Sequence, residues 1–203
     1  MSRTLGIPGG LSILVRMTAA PAVGQQPTPA PVTAPAMAPM PAMPATPADG
    51  HTVHVTAPHV VAGKVMGPYH HYCKVLSPEP VIECLCYSSD DPNARLEQVE
   101  YIIAKSITRT GAVPLANWNS NWHDHKQEIA TGRVQVLDMT PEKAKEVADL
   151  VSTTDGIIFH LWSHDAKVPS GKVIIAQSVG HVNLKQSEFK KGAEEKPPAS
   201  PGK

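Results

Sequence analysis

The sequence has no surplus of charge of either sign: 18 Lys and Arg stand against 18 Asp and Glu, a formal net charge of +0. That balance removes the electrostatic argument for nucleic acid or for an anionic membrane surface as a partner. Long apolar runs are also missing, the longest falling short of the roughly 18 residues that a membrane-spanning helix needs. No glycine-rich phosphate loop, Gly-x-Ser-x-Gly elbow or paired cysteine and histidine nucleophile stands out, so the usual cues for nucleotide binding, serine hydrolysis and cysteine catalysis are absent. Cysteine is scarce, three in all with none before Cys73, which leaves no lipid-anchor cysteine for an N-terminal signal.

Proline is the residue in excess. The 21 prolines crowd the first quarter of the chain and its extreme C-terminus, and they divide it. Residues 1–25 hold Arg3, an apolar stretch from Leu5 to Val15 and small residues from Ala19 to Ala22, the pattern of a secretory signal that Arg16 cuts short. This predicts a periplasmic or secreted protein, with the cytoplasm as the alternative. Residues 26–49 are almost all Pro, Ala, Thr and Met, a composition that cannot bury enough surface to fold. Proline at this density favours an extended helix of three residues per turn. It would align Met37, Met40 and Met43 as soft donors for copper(I), unless the stretch is a linker and no more. Residues 50–187 are long enough for one domain with one core. From 188 onward the charged, proline-ended tail is expected to be disordered.

The densest chemistry lies from Trp118 to Gly132, a run holding two of the three tryptophans together with His123, Asp124, His125 and Glu128. If the run enters a strand, the two-residue period puts His123 and His125 on one face with Asp124 opposite. Two imidazoles facing one pocket supply two ligands of a zinc or copper ion, and Glu128 is a third if a bulge corrects its parity. The alternative is a half-buried strand edge whose histidines face water. Upstream, His51, His54 and His59 surround Val53 and Val55 in what reads as a first edge strand carrying surface histidines.

Two β-prone runs, Pro68 to Leu76 and Val81 to Tyr87, are joined by Ser77-Pro78-Glu79-Pro80 and read as a hairpin. It sets Cys73 and Cys84 on adjoining strands. In an exported protein the simplest outcome is a disulfide between them, with Cys86 left over; the alternatives are free buried thiols, or Cys84 and Cys86 as thiolate ligands beside His70 or His71. Leu96, Val99 and Ile103 fit a helix, whereas Val99, Tyr101 and Ile103 fit a strand with Glu100 and Ile102 on its other face; β-branched and aromatic content favours the strand. Pro141 to Val151 is the clearest helix, capped by Thr140, with Ala144, Val147, Ala148 and Val151 along one side. A second helix is expected between Lys105 and Asn117. Residues 156–162 read as a strand with His160 on the face of Ile158 and Trp162, as a core histidine or a ligand, and 172–177 as its hairpin partner. The fold class is α+β, a mostly antiparallel sheet built from hairpins with one or two helices, and its closure into a barrel is not readable from periodicity.

Taken together, several stretches resemble the oil body-associated protein family, bacterial branch, in order and spacing. They are His70-His71-Tyr72-Cys73, Glu83-Cys84-Leu85, Asn93-Ala94-Arg95-Leu96 with Val99-Glu100-Tyr101-Ile102-Ile103, Trp122-His123-Asp124-His125 with Glu128 and Gly132, and His160-Leu161-Trp162. The resemblance covers about Tyr69 to Trp162. It implies a family named for seed lipid droplets, without an assigned activity, and so a lipid surface or a protein as a partner. Cys86 stands where the family carries an ordinary apolar residue, Ser88 where an acid is usual, and the export-like N-terminus suits a bacterial envelope protein. The His-x-His run is also similar to the first motif of cupin barrels, with shorter spacings and without the second motif.

The residues carrying the resemblance are histidine, cysteine, glutamate and tryptophan, types that bear chemistry more than scaffold. The functional expectation is an exported protein binding copper or zinc, with His123 and His125 as central ligands completed by Glu128, His160, His70 or His71. One alternative is a metal-dependent enzyme on the same pocket with Glu128 or Glu100 as general base. Another is a non-enzymatic lipid-surface or structural protein.

Overall fold

Short β-prone runs punctuated by turns form a sheet in which every pairing is antiparallel. The computed structural model describes residues 46–162 and 166–198. The signal-like segment and the Met37, Met40 and Met43 row lie outside the described residues. The strands are β1 (Val53–Val61), β2 (Lys64–Ser77), β3 (Val81–Tyr87), β4 (Leu96–Ala104), β5 (His123–Asp124), β6 (Gln135–Leu137), β7 (Thr154–His160) and β8 (Ile174–Ser178). Strands β1, β2, β3, β4, β7 and β8 pair in that order. β8 then returns to β1 through His59 with Ser178 and Val60 with Gln177, so six strands close a barrel. Closure leaves these strands no free edge, which is how antiparallel sheets avoid edge-to-edge association. β6 lies against the first half of β1, and the two-residue β5 against the start of β7.

The helices are α1 (Lys105–Ile107), α2 (Leu115–Asn121), α3 (His125–Ala130), α4 (Pro141–Val151) and α5 (Gln186–Gly192), with a wide turn at Thr108–Ala112. α4 has the expected bounds, and the Thr140 hydroxyl accepts from the Lys143 amide at 3.4 Å. Residues 96–104 are strand, as β content favoured, with Glu100 and Ile102 on one face. The mostly antiparallel α+β expectation holds, and the sheet closes; the described residues hold five helices where one or two were expected, because connections between the strands and the segment after β8 also fold into short helices. None of them is long and apolar enough to cross a membrane among the described residues.

Three expectations are corrected. β1 is not an edge strand: it pairs with β2, β6 and β8, and its His54 and His59 are buried, not on the surface. The run from Trp118 to Gly132 is not a strand but a helix, a two-residue strand and a second helix. The tail is ordered through α5, whose Phe189 is buried, and Glu195 beyond it reaches Lys105 Nζ at 2.8 Å.

Residues directly opposite on antiparallel strands point to the same side, so the register writes rows across the barrel interior. One row is His71, Cys86, Gln98 and His160; the next is Cys73, Cys84, Glu100, Ile158 and Ala176. Cys73 and Cys84 are joined as a disulfide within that second row, and Cys86 is a free buried thiol. The disulfide removes Cys84 from any set of thiolate ligands. The apolar interior is gathered around Ile82, Ile102 and Tyr69 on one side and Ile158 and Ala176 on the other. Between them lies an unusual density of buried polar groups.

Candidate metal centre

Each of those buried polar groups must have a partner or carry a large desolvation cost. β1 and β2 bring His59 and His71 inward, β4 brings Glu100, and the segment from Trp122 to Ala130 brings His123, His125 and Glu128 from the far side. All six are buried, none more than 5% exposed. The Nε2 atoms of His59 and His71 lie 3.2 Å apart, and His71 Nε2 lies 3.4 Å from Glu100 Oε2. On the other carboxylate oxygen, Glu100 Oε1 is 3.1 Å from His123 Nε2 and 3.3 Å from His125 Nε2. Glu128 Oε2 stands further back, 3.8 Å and 3.9 Å from the same two nitrogens. His59, His71 and Glu100 form one group that could hold a metal ion, and Glu100, His123 and His125 a second; Glu100 belongs to both.

The outer ring nitrogens explain why the inner ones converge. His71 Nδ1 donates to the Tyr69 carbonyl at 3.0 Å, His125 Nδ1 to the Thr154 carbonyl at 3.3 Å, and His59 Nδ1 to Gln98 Oε1 at 2.6 Å. In the neutral ring a proton on Nδ1 leaves Nε2 with its lone pair, so all three imidazoles are oriented to give Nε2 to a cation in one space, the orientation that metal-binding histidines receive from their outer partners. Donor atoms around a tetrahedral zinc ion with bonds of about 2.0–2.1 Å are roughly 3.3–3.4 Å apart. The separations of His71, His123 and His125 from Glu100, 3.4, 3.1 and 3.3 Å, and of His59 from His71, 3.2 Å, are close to that value. Both nitrogens of His123 and Oε1 of Glu128 are buried without a hydrogen bond, although His123 Nε2 is close to Glu100. A cation among these donors would satisfy what the protein's own groups leave unmatched.

The electrostatics show what an ion would displace. Burial would lower the His71 and His125 pKa values, but Cys86 and Glu100 beside the first and Glu100 beside the second raise them. Without a cation these rings therefore favour a proton on Nε2 directed at Glu100. Burial alone would raise the Glu100 pKa, but the surrounding His123, His125 and His71 rings outweigh it and hold the carboxyl well below its ordinary value. Burial pushes Glu128 the other way, above the ordinary carboxylate value. Two carboxyls in one pocket are thus driven apart, Glu100 toward the anion and Glu128 toward the protonated form. His59 is lowered to about 3 by burial and by His71 beside it, so its ring is neutral at any ordinary pH.

His123 and His125 do share one pocket, by a route different from strand parity. His123 is in β5, which pairs with β7 at Gly156; His125 is the first residue of α3, and Glu128 follows one turn later with no bulge needed. Asp124 between them turns outward and caps α3, its Oδ1 accepting from the Lys126 amide at 2.8 Å. There it meets Lys105 Nζ at 2.8 Å and Arg109 Nη2 at 3.0 Å, and Arg109 also bonds Asp155 and lies 5.0 Å above the Trp118 ring. This buried ion network clamps the segment that carries both histidines to the outside of the barrel. Inside, His123 presses on Gly156: a Cβ there would collide with His123 Nε2 and stand 2.6 Å from Glu100 Oε1.

The structure does not bring two predicted ligands to this group. His70 points out of the barrel, where His54 Nε2 lies 3.0 Å from its Nδ1 and Asp138 2.6 Å from His54 Nδ1; its neighbour His71 takes the inward position because strand neighbours alternate. His160 is inward but one row away, accepting at Nδ1 from Gln98 Nε2 at 3.0 Å. It therefore acts on the group through Gln98 and His59. From the sequence, His59 reads as a surface histidine, not as a member of this group. The signal was its odd-numbered parity with Val53, Val55 and Ala57, three apolar residues on an inward face, and Pro58 obscured it.

A family model described as a protein of unknown function (DUF1264) matches residues 45–198. Among curated proteins the chain is similar to oil body-associated protein 1B of Arabidopsis thaliana, 31% identical over 96 residues, which cover 47% of this chain and 38% of that protein. Oil body-associated protein 2B of Zea mays is 34% identical over 98 residues, 47% of this chain and 37% of that protein. Oil body-associated protein 1A of Zea mays is 30% identical over 96 residues, 47% of this chain and 39% of that protein. The match thus spans less than two fifths of the length of these relatives. No solved structure matches the chain.

Proposed function

The chain belongs to the DUF1264, oil body-associated protein-like family, and from that premise we propose that it is a metal-binding protein whose barrel holds zinc or copper on Glu100. The His59 and His71 pair approaches one carboxylate oxygen and the His123 and His125 pair the other. The observation that carries the proposal is the convergence of buried imidazole nitrogens on one buried carboxylate at 3.1–3.4 Å. Imidazole with carboxylate suits zinc and copper(II) equally. The disulfide between Cys73 and Cys84 supports export, since such bonds persist in oxidising compartments.

The experiment is elemental mass spectrometry of the untagged chain beside Glu100→Gln and a His123→Ala, His125→Ala double variant. About one ion per chain, lost in both variants while circular dichroism shows the barrel intact, is the expected result; two per chain would assign an ion to each histidine pair. No retained metal after incubation and desalting would sink the proposal.

Metal-dependent catalysis is a second reading, favoured by Glu128. Its raised pKa, its unpartnered Oε1 and its place behind the nitrogens rather than among them suit a general acid or base. In that role Glu128→Gln would leave metal content unchanged and abolish turnover of whichever substrate an activity screen identifies.

A further inference from the structure

The metal group does not fill the barrel. Beside it is a cavity of about 160 Å³, lined on the barrel side by Val53, Val55, Val75, Ile82 and Ile102. Ile129, Val134, Val147, Leu150 and Val151 close it from α3, α4 and the loop between them. At one end it meets His59, His71, Glu100, His125 and Glu128. Close packing is the rule in protein interiors, so a cavity of this size is a feature to be explained. Burial along β1 is inverted as a result: the outward His54 and Thr56 are buried, while the inward Val53 and Val55 are only half-buried. The same holds on α4, whose apolar side faces the barrel although none of its residues is buried.

We propose that this cavity binds a short aliphatic monocarboxylate of about six carbons, with its chain among the valines and its carboxylate at the histidine end. The proposal rests on the metal reading. Apolar walls disfavour water and favour a hydrocarbon, and a dry cavity of about 150 Å³ takes a guest the size of benzene, six carbons. That volume excludes a full-length fatty acyl chain held within it. The head group follows from charge: the Glu100 anion would repel a carboxylate, a bound cation would draw it in, and carboxylates are good zinc and copper(II) ligands. A second carboxylate at the far end of the chain would be desolvated among valines without a partner, so a dicarboxylate is rejected.

The test is calorimetric titration of the zinc-loaded full chain with hexanoate, adipate and 1-hexanol, with zinc content measured on the same sample. Hexanoate is expected to bind, adipate at least tenfold more weakly. Leu150→Trp or Val147→Trp, each filling the cavity from α4, is expected to weaken hexanoate at least tenfold without loss of zinc. Circular dichroism confirms the fold of each variant. Equal binding of hexanoate and adipate, hexanoate binding indifferent to both tryptophans, or no hexanoate binding by a chain that holds zinc would overturn the proposal and leave the metal site standing. A chain that holds no zinc overturns the metal reading and the carboxylate head with it; uncharged 1-hexanol then decides the apolar half, supported if it binds and is displaced by Leu150→Trp, overturned if it does not bind.

Discussion

Substituting Gly156 by alanine adds a single methyl group at the closest approach of β7 to the candidate metal centre. Gly156 lies within β7, paired with Ile102 on one side and His123 on the other, in backbone that any residue adopts. The effect is therefore steric alone. The new Cβ would stand 2.5 Å from His123 Cε1 and 2.6 Å from Glu100 Oε1, with His123 Nε2 in contact as well. Neither ring nor carboxylate can retreat, because each is buried against the other. Overpacking of this kind costs about 1–3 kcal/mol. In a domain of this size each kcal/mol moves the unfolding midpoint about 2–4 °C, so Tm should fall by roughly 2–12 °C by circular dichroism. Metal content should fall with it. The same substitution in a His123→Ala background, where the ring is gone, should cost about 1 kcal/mol less, a coupling of the size expected for touching residues. Gly156→Ala with unchanged Tm and unchanged metal, or with the same cost in both backgrounds, would refute the reasoning.

Other perturbations test the supports. Lys105→Met leaves Asp124 buried with Arg109 as its remaining cation, and should cost about 3 kcal/mol by urea denaturation, the lower end for a broken buried pair; under 1 kcal/mol would show that the clamp does not stabilise the fold. Removing the Cys73–Cys84 disulfide by Cys73→Ala with Cys84→Ala opens a loop with sequence separation 11 and should cost about 3 kcal/mol, read from the same denaturation curves. Burial would raise the Glu195 pKa, but Lys105 and Lys126 outweigh it and hold it below its ordinary 4.5. A lowered folded-state pKa adds stability above the ordinary value and loses it as pH falls through the folded one. Glu195→Gln should therefore flatten the acid limb of the stability curve below about pH 4.5 and leave its slope near neutrality unchanged.

The parts of this fold that were legible in the sequence are those with local causes. The Ser77 to Pro80 turn, the Thr140 cap with Pro141 behind it, and the alternation that puts Glu100 with Ile102 all act within a few residues. Barrel closure was not legible because it depends on β8 meeting β1 across more than 100 residues, for which no local pattern exists. The candidate site lies between these cases. His123 and His125 were found by their density. The geometry assigned to them was wrong because the chain switches from strand to helix between them, at Asp124, whose cap role requires only one side chain and one amide. His59 and His71 were separable from His54 and His70 by parity, once the inward face of each strand was known. Gly156 and Gln98, which shape the group without belonging to it, carried no signal of their own.

The most direct measurement is X-ray absorption at the zinc or copper edge on the loaded chain and on Glu100→Gln. The account predicts a nitrogen and oxygen shell near 2.0–2.1 Å with outer scattering from at least two imidazoles, altered or lost in the variant. A sulfur shell near 2.3 Å, which would send the ion to Cys86 or to the N-terminal methionines, or a spectrum indifferent to Glu100→Gln, would contradict it.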